Sequence, residues 1–384
     1  MASVEEAIAC LRRGDCAAAR RIFENLVSGG ESGFAVWLGL AYACAGDGDA
    51  PGALGAVERA LALDSRDLRA LVLKADLLDH RGDASAAAFY EAALKVAPPV
   101  GELPAELLSL VQRAHTAVLR YSRAFEAQLR GQLAGLATEV GPPSARFAQS
   151  IDLLSGKKQL YVPQPTLYHF PELPCVQFHP RERFPWLPQL ERATASICAD
   201  LLKVMASNNA FEPYLTADST RPMLNRPALL GSPEWSAYYL WKDGEPVASH
   251  AAQCPHTMQA LEQVPMARIP RRSPNVLFSL LLPGAHIPAH NGFINTRLIG
   301  HLPLVVPEGC SLRVGNETRD WVAGEAWLFD DTIEHEAWNR SDQTRVVLLF
   351  EVWRPELSQS EREHVRALFG AIERHRGGID GWGI

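Results

Sequence analysis

FDDTIEHEAWNRSDQTRVVLLFEVW, residues 329–353, sets His335 in a short loop between two strand-like runs and follows it with Arg345, which opens an apolar stretch. Between Arg345 and Trp353 every residue except Glu351 is β-branched, aliphatic or aromatic, with no Gly or Pro, which predicts a buried strand. A guanidinium at the head of such a run is poorly placed for a surface salt bridge. Buried, it could take a carboxylate bidentately. Upstream, GAHIPAHNGFINTRLIGHLPL, residues 284–304, places His290 at the end of a strand entering a Gly turn.

Working outward, helical periodicity gives way after about residue 160 to frequent prolines and short β-rich runs. The expected strands are Trp235 to Trp241, Val276 to Leu282, Arg297 to Val306, Ser311 to Val314, Glu325 to Phe329 and Arg345 to Trp353. One helix is expected around Leu187 to Met205. A capping-box pattern, Ser358-Gln-Ser-Glu361, starts a last helix that runs to about Arg376, before Gly377-Gly378. Short strands divided by Gly and Pro turns read as a sandwich or barrel, and the jelly-roll version holds ligands in its mouth.

Two histidines far apart in sequence, each beside a strand, suit a metal held between neighbouring strands. Neutral imidazoles suit Fe(II), and open coordination positions leave room for a chelating 2-oxo acid and O2. A single histidine is more often a hydrogen-bonded structural residue. The linkage of His290, His335 and Arg345 favours a site.

These stretches, with SAYYLWKDGEP (236–246), PGAHIPAHNGFINTRLIGHLPLVVPEGC (283–310) and RVGNETRDWVAGEAWLFDDTIEHEAWN (313–339), resemble the aspartyl/asparaginyl β-hydroxylase family of Fe(II)/2-oxoglutarate oxygenases over residues about 160 to 360. The resemblance implies iron ligation by His290 and His335, and 2-oxoglutarate contacts from Ser279, His301 and Arg345. It also implies that Arg297 grips a substrate carboxylate, although Ile299 stands where the animal enzymes carry a second Arg. Many oxygenases complete a two-His-one-carboxylate triad two residues after the first His. Here that residue is Gly292, an absence the family shares, so water can occupy the position, or a halide as in some related oxygenases. Asp330 and Asp331 are the nearest carboxylates, and the family's FDD at this point makes them supports of the site or of its turn.

Residues 3 to 97 repeat at about 34 residues, the length of a helix-turn-helix unit. Ala19, Phe23 and Leu26 recur as Ala53, Val57 and Ala60, then as Ala86, Tyr90 and Ala93, each set forming one apolar stripe. Gly14-Asp15, AGDGDAPG (45–52) and Gly82-Asp83 mark turns, and Pro98-Pro99 stops the last helix. With Trp37, Ala53 and Ala60, this resembles tetratricopeptide hairpins; an unclassified α-bundle is the alternative. The array would offer a concave protein-binding surface or act as a helical cap. Residues 101 to 138 continue as helix, and VGPPSAR (140–146) suggests a boundary. The expected class is therefore an α+β multidomain chain. Residues 1–100 are tetratricopeptide-like repeats, 101–150 a helical linker, and 151–384 a double-stranded β-helix (jelly-roll, cupin-like) oxygenase domain with a C-terminal helix.

The chain of 384 residues, 47% hydrophobic and 21% charged, is globular in composition. A net charge of −7 and a short, interrupted basic run from Arg268 to Arg272 argue against a nucleic-acid partner. Seven scattered cysteines (Cys10, Cys16, Cys44, Cys175, Cys198, Cys254, Cys310) show no CxxC spacing, so no disulfide framework or zinc site is expected. With no signal-like or membrane-spanning run, the expected location is cytoplasmic. The expected activity is hydroxylation of an unactivated carbon in an Asp/Asn-like residue or another amino-acid-derived substrate, with 2-oxoglutarate decarboxylated to succinate. An amino acid, a peptide, a protein recruited by the repeats and a lipid-linked acyl chain all stay open as substrates. Halogenation on the same two histidines, and a repeat-based adaptor with an inactive β-domain, are the alternative readings.

Overall fold

A computed structural model describes residues 3–99, 104–136, 140–207, 211–216 and 228–376. The chain divides into two compact units, one ending at Lys158 and the other beginning at Gln159. Among the described residues no helix is long and apolar enough to cross a membrane.

In the first unit six helices follow in order: α1 (Val4–Arg12), α2 (Cys16–Ser28), α3 (Phe34–Gly46), α4 (Ala50–Leu63), α5 (Leu68–His80) and α6 (Ala86–Val96). Each packs mainly on its neighbours in sequence. Ser3, Asp15, Asp49 and Asp67 cap four of them, their side chains accepting backbone N–H bonds that the first helical turn cannot satisfy internally. The expected stripe is the buried one: Ala19 and Phe23, then Ala53, Val57 and Ala60, then Ala86, Tyr90 and Ala93 are buried, and Leu26 is half-buried. Gly39 is required by this packing, since a Cβ there would lie 2.2 Å from the Phe23 ring.

The expected helix over 101 to 138 is α7, Ala105–Ala134; residues 100–103 and 137–139 lie outside the described residues. The segment 140–146 does not divide the units. Ser144 there caps α8 (Ala145–Leu154), accepting from the Phe147 backbone, and Asp152 of α8 pairs with Arg130 of α7 at 2.8 Å. Capping and ion pairing thus carry the helical unit past the expected start of the β-domain at 151.

The second unit is built on two antiparallel sheets. Its strands are β1 (Glu212–Pro213), β2 (Trp235–Lys242), β3 (Glu245–Pro246), β4 (Val276–Leu281), β5 (His286–His290), β6 (Arg297–Val305), β7 (Cys310–Val314), β8 (Glu317–Asp320), β9 (Trp327–Phe329), β10 (His335–Asn339) and β11 (Arg345–Trp353). Among the described residues the larger sheet runs β1-β2-β4-β11-β6-β9, with β3 on β2, and the smaller runs β5-β10-β7-β8.

The side-chain alternation of a strand sorts the larger sheet into two faces. On β11, Val346, Leu348, Phe350 and Val352 pack with Leu298, Leu302 and Leu304 of β6 beneath helical residues Leu187, Leu190, Ile197 and Leu201. Val347 and Leu349 face the other way, packing with Leu277, Leu281 and Ile299 against Ile287, Leu312 and Ala337 of the smaller sheet. Register puts Ser279, His301, Arg345, Arg297 and Glu351 on that inter-sheet face. A strand buried on both faces explains why residues 345–353 read as one apolar run.

Several expectations change in detail. His335 does not sit in a loop: it is the first residue of β10, paired with His290 on one side and Val314 on the other. Strands β5, β8 and β10 are short and rich in polar residues, so neighbouring strands decide their conformation. The expected helix from Leu187 to Met205 is two helices, Leu187–Arg192 and Thr194–Met205, broken at Ala193. Within the basic run, Arg272 is buried and paired with Glu373, and Arg268 lies 5.0 Å from the Trp241 ring centre. The last helix is Gln359–Arg376, with Glu361 accepting from the Ser358 backbone at 2.7 Å as the capping box requires; Gly377-Gly378 lies outside the described residues.

Candidate active site

The β5–β10 pairing brings His290 and His335 side by side, with ring centres 4.1 Å apart and ring planes tilted by 50°. His290 Nδ1 lies 2.7 Å from the Pro288 carbonyl and His335 Nδ1 lies 3.1 Å from that of Ile333. A carbonyl only accepts, so each Nδ1 carries the proton and each Nε2 keeps its lone pair. Desolvation by surrounding protein atoms disfavours the charged form of both rings. It pushes His335, which is buried, well below its usual value and lowers His290 too, although that ring keeps an exposed side. Two neutral imidazoles with fixed tautomers suit a divalent metal. Among the described residues no group of three His, Cys, Asp or Glu could hold an ion, so a metal here would have two protein ligands.

Gly292 lies beside this pair, and the structure explains its lack of a side chain. Its N–H donates to the Asp331 carbonyl at 2.7 Å, and an added Cβ would come within 2.0 Å of Asp331 Oδ2. The carboxylate of Asp331 therefore occupies the space a side chain at 292 would enter. Gly292→Asp is expected to weaken metal binding, because the new carboxylate must displace Asp331. Tighter binding, read by competition with a chelator, would show that the glycine is dispensable.

The two aspartates diverge. Asp330 is fully buried, accepts from Arg354 Nη1 at 2.6 Å and from the Thr332 backbone at 3.0 Å, and so braces the turn that leads to His335. Asp331 accepts from Arg297 Nη1 at 3.0 Å, while its buried Oδ1 has no partner among the described residues.

At the other end of the inter-sheet face, Arg345 is 1% exposed. Its Nη1 donates to the Ser279 carbonyl at 3.1 Å, its Nε has no hydrogen-bond partner among the described residues, and the Trp321 ring centre lies 4.7 Å from its Cζ. Among the described residues no carboxylate pairs with it, and burial pushes the guanidinium down to about 10. His301 lies on the same face, its Nδ1 without a partner among the described residues; burial and the Arg345 charge hold its pKa down to about 3, so it is neutral. The Phe329 ring bridges His301 at 5.0 Å and His335 at 5.6 Å.

The sequence reading missed Trp235 and Trp321. Trp235 Nε1 donates to Ser279 Oγ at 3.2 Å and its ring lies 6.2 Å from His290, while Trp321 covers Arg345. Strand alternation anchored on Ser279 is the signal that could have found Trp235. Arg297 is 3% exposed and pairs with both Asp331 and Glu351, at 3.0 and 3.1 Å.

A family-wide sequence profile described as Aspartyl/Asparaginyl beta-hydroxylase matches residues 191–355, the stretch that holds all of these side chains. This part of the chain is similar to that family. Human aspartyl/asparaginyl beta-hydroxylase is 37% identical over 136 residues, 35% of this chain and 18% of that protein. The ornithine lipid ester-linked acyl 2-hydroxylase of Rhizobium tropici is 32% identical over 175 residues, 45% of this chain and 58% of its own. The alignments thus cover less than two thirds of either relative. Among solved structures, AviO1 from Streptomyces viridochromogenes matches with a TM-score of 0.27 at 13% identity, covering 44% of this chain and 86% of that one.

Proposed function

We propose that the aspartyl/asparaginyl beta-hydroxylase domain of this chain is an Fe(II)- and 2-oxoglutarate-dependent hydroxylase of an unactivated carbon. The observation that carries this reading is Arg345: a guanidinium buried between two sheets, with the Ser279 carbonyl and the Trp321 ring beside it but no carboxylate partner among the described residues, is a ready-made site for an anion. Ser279 Oγ and the unpartnered Nδ1 of His301 face the same space, and a dicarboxylate anchored there would run along the inter-sheet face toward the histidine pair. His290 and His335 would hold the metal through Nε2. Bound Fe(II), with O2 and 2-oxoglutarate as co-substrates, would supply the oxidising power for hydroxylation, leaving succinate and CO2.

The protein's own part is positioning. Arg345 and Ser279 orient the co-substrate, Phe329 and Trp321 exclude water around it, and the Pro288 and Ile333 carbonyls fix the imidazole tautomers. The substrate class the family supports is an Asp- or Asn-like residue, or an amino-acid-derived compound; the Rhizobium tropici relative adds a lipid-linked acyl chain. The helical array would recruit a peptide or protein substrate through tetratricopeptide-like hairpins.

Adding Fe(II) and then 2-oxoglutarate anaerobically to the purified protein is expected to produce a metal-to-ligand charge-transfer band. That band should be lost in His290→Ala. If iron-replete wild-type protein shows no band, the reading falls.

A further inference from the structure

Arg297 stands between two carboxylates, and its surroundings explain why. Glu351 is 3% exposed, and its Oε2 is itself fixed, accepting from Ser273 Oγ at 2.6 Å and from the Asn275 backbone at 2.9 Å. Its Oε1 holds Arg297 Nε at 3.1 Å. Arg297 Nη1 in turn holds Asp331 Oδ2, the same oxygen that fills the space beside Gly292. Ile299 is directly opposite Glu351 across the sheet, so this position offers the carboxylate no second cation.

The resulting row carries one formal positive charge between two negatives, all buried, and ends on an Asp331 oxygen with no partner among the described residues. Its excess negative charge lies beside the one place at the histidine pair where Gly292 leaves out a ligand. An anion entering there would meet that charge at close range in a medium that screens it weakly.

We propose that Glu351 is a positioning residue that, through Arg297, locks the Asp331 carboxylate over Gly292, and that this row keeps halide and other small anions away from the histidine pair. The inference rests on the metal reading of His290 and His335. It gives Arg297 a place in the protein's own charge row, and it makes the site fit to hydroxylate and unfit to halogenate, since halogenation requires a halide in that place.

The test uses the full-length protein loaded with Co(II), whose visible spectrum reports the donors around it. Chloride is titrated against sulfate at matched ionic strength. The wild-type spectrum is expected to stay unchanged. In Glu351→Gln, an amide N–H faces Arg297 Nε and the lock is released. In Asp331→Asn the charge itself is removed. Both variants are expected to bind chloride at least about tenfold more tightly than wild type. Ser273→Ala, which leaves the Glu351–Arg297 pair in place, is expected to behave as wild type.

A chloride response in the wild-type protein overturns the proposal. So does a Glu351→Gln variant that melts at lower temperature but stays chloride-insensitive, because Glu351 would then be structural only. If Glu351→Gln does not fold, Asp331→Asn decides: insensitivity there also overturns it. Wild-type protein with no Co(II) spectrum at all would remove the metal reading itself, and this inference with it.

Discussion

Replacing His335 by Ala is expected to remove Fe(II) binding at the site and, with it, all co-substrate turnover. Among the described residues the site offers two imidazoles and no third His, Cys, Asp or Glu that completes a cluster, so each histidine supplies half of the protein's donors. Loss of a group that merely supports a ligand costs about 10–100-fold in metal affinity. Loss of one of two ligands should exceed the upper end of that range. The fold should survive, because His335 takes part in β10 through its backbone, paired with His290 and Val314, and alanine keeps those bonds. Metal affinity by chelator competition, with circular dichroism as the folding control, checks both parts. Wild-type affinity in His335→Ala and in His290→Ala would exclude them as ligands.

The second large effect is expected at Arg345, with opposite signs for binding and for stability. Arg345→Met keeps most of the side-chain volume and removes the charge. A hydrogen bond to a charged group contributes about 1.5–3 kcal/mol, and tenfold in affinity corresponds to about 1.4 kcal/mol, so 2-oxoglutarate should bind roughly 10–100-fold more weakly. Without ligand, however, the wild-type guanidinium is a buried charge with no carboxylate partner among the described residues. Its replacement by an apolar side chain should leave the ligand-free protein as stable or more stable. Ordinary buried ion pairs behave the other way, since removing one partner strands the other. Thermal unfolding with and without 2-oxoglutarate separates the cases. An Arg345→Met protein that is strongly destabilised yet still shifted by 2-oxoglutarate would mean that Arg345 is a structural cation.

Much of the fold was legible because its signals are local. The long strands β2, β4, β6 and β11 carry enough β-branched and aromatic residues to show their state and, by alternation, their buried faces. The helical stripe from Ala19 to Ala93 is read from spacing alone. What failed to show lies in short or polar elements. Nothing local in HEAWN makes it a strand; β5 and β7 on its two sides do. The Ala193 break, and the continuation of the helical unit through Ser144 and Asp152, likewise depend on contacts that spacing does not encode.

At the site, residue types and order within two motifs were enough to pair His290 with His335 and to single out Arg345, because each stands out against its strand context. The sequence by itself also determined that no side chain follows two residues after His290. Only the tertiary structure decided why: Asp331, brought back by the β9–β10 turn, already fills that space. It alone shows that Asp330 and Asp331 point to different arginines, and that Arg297 is held between two carboxylates. A charge pair depends on distances across strands far apart in sequence, and those distances exist only once the two sheets have closed on each other.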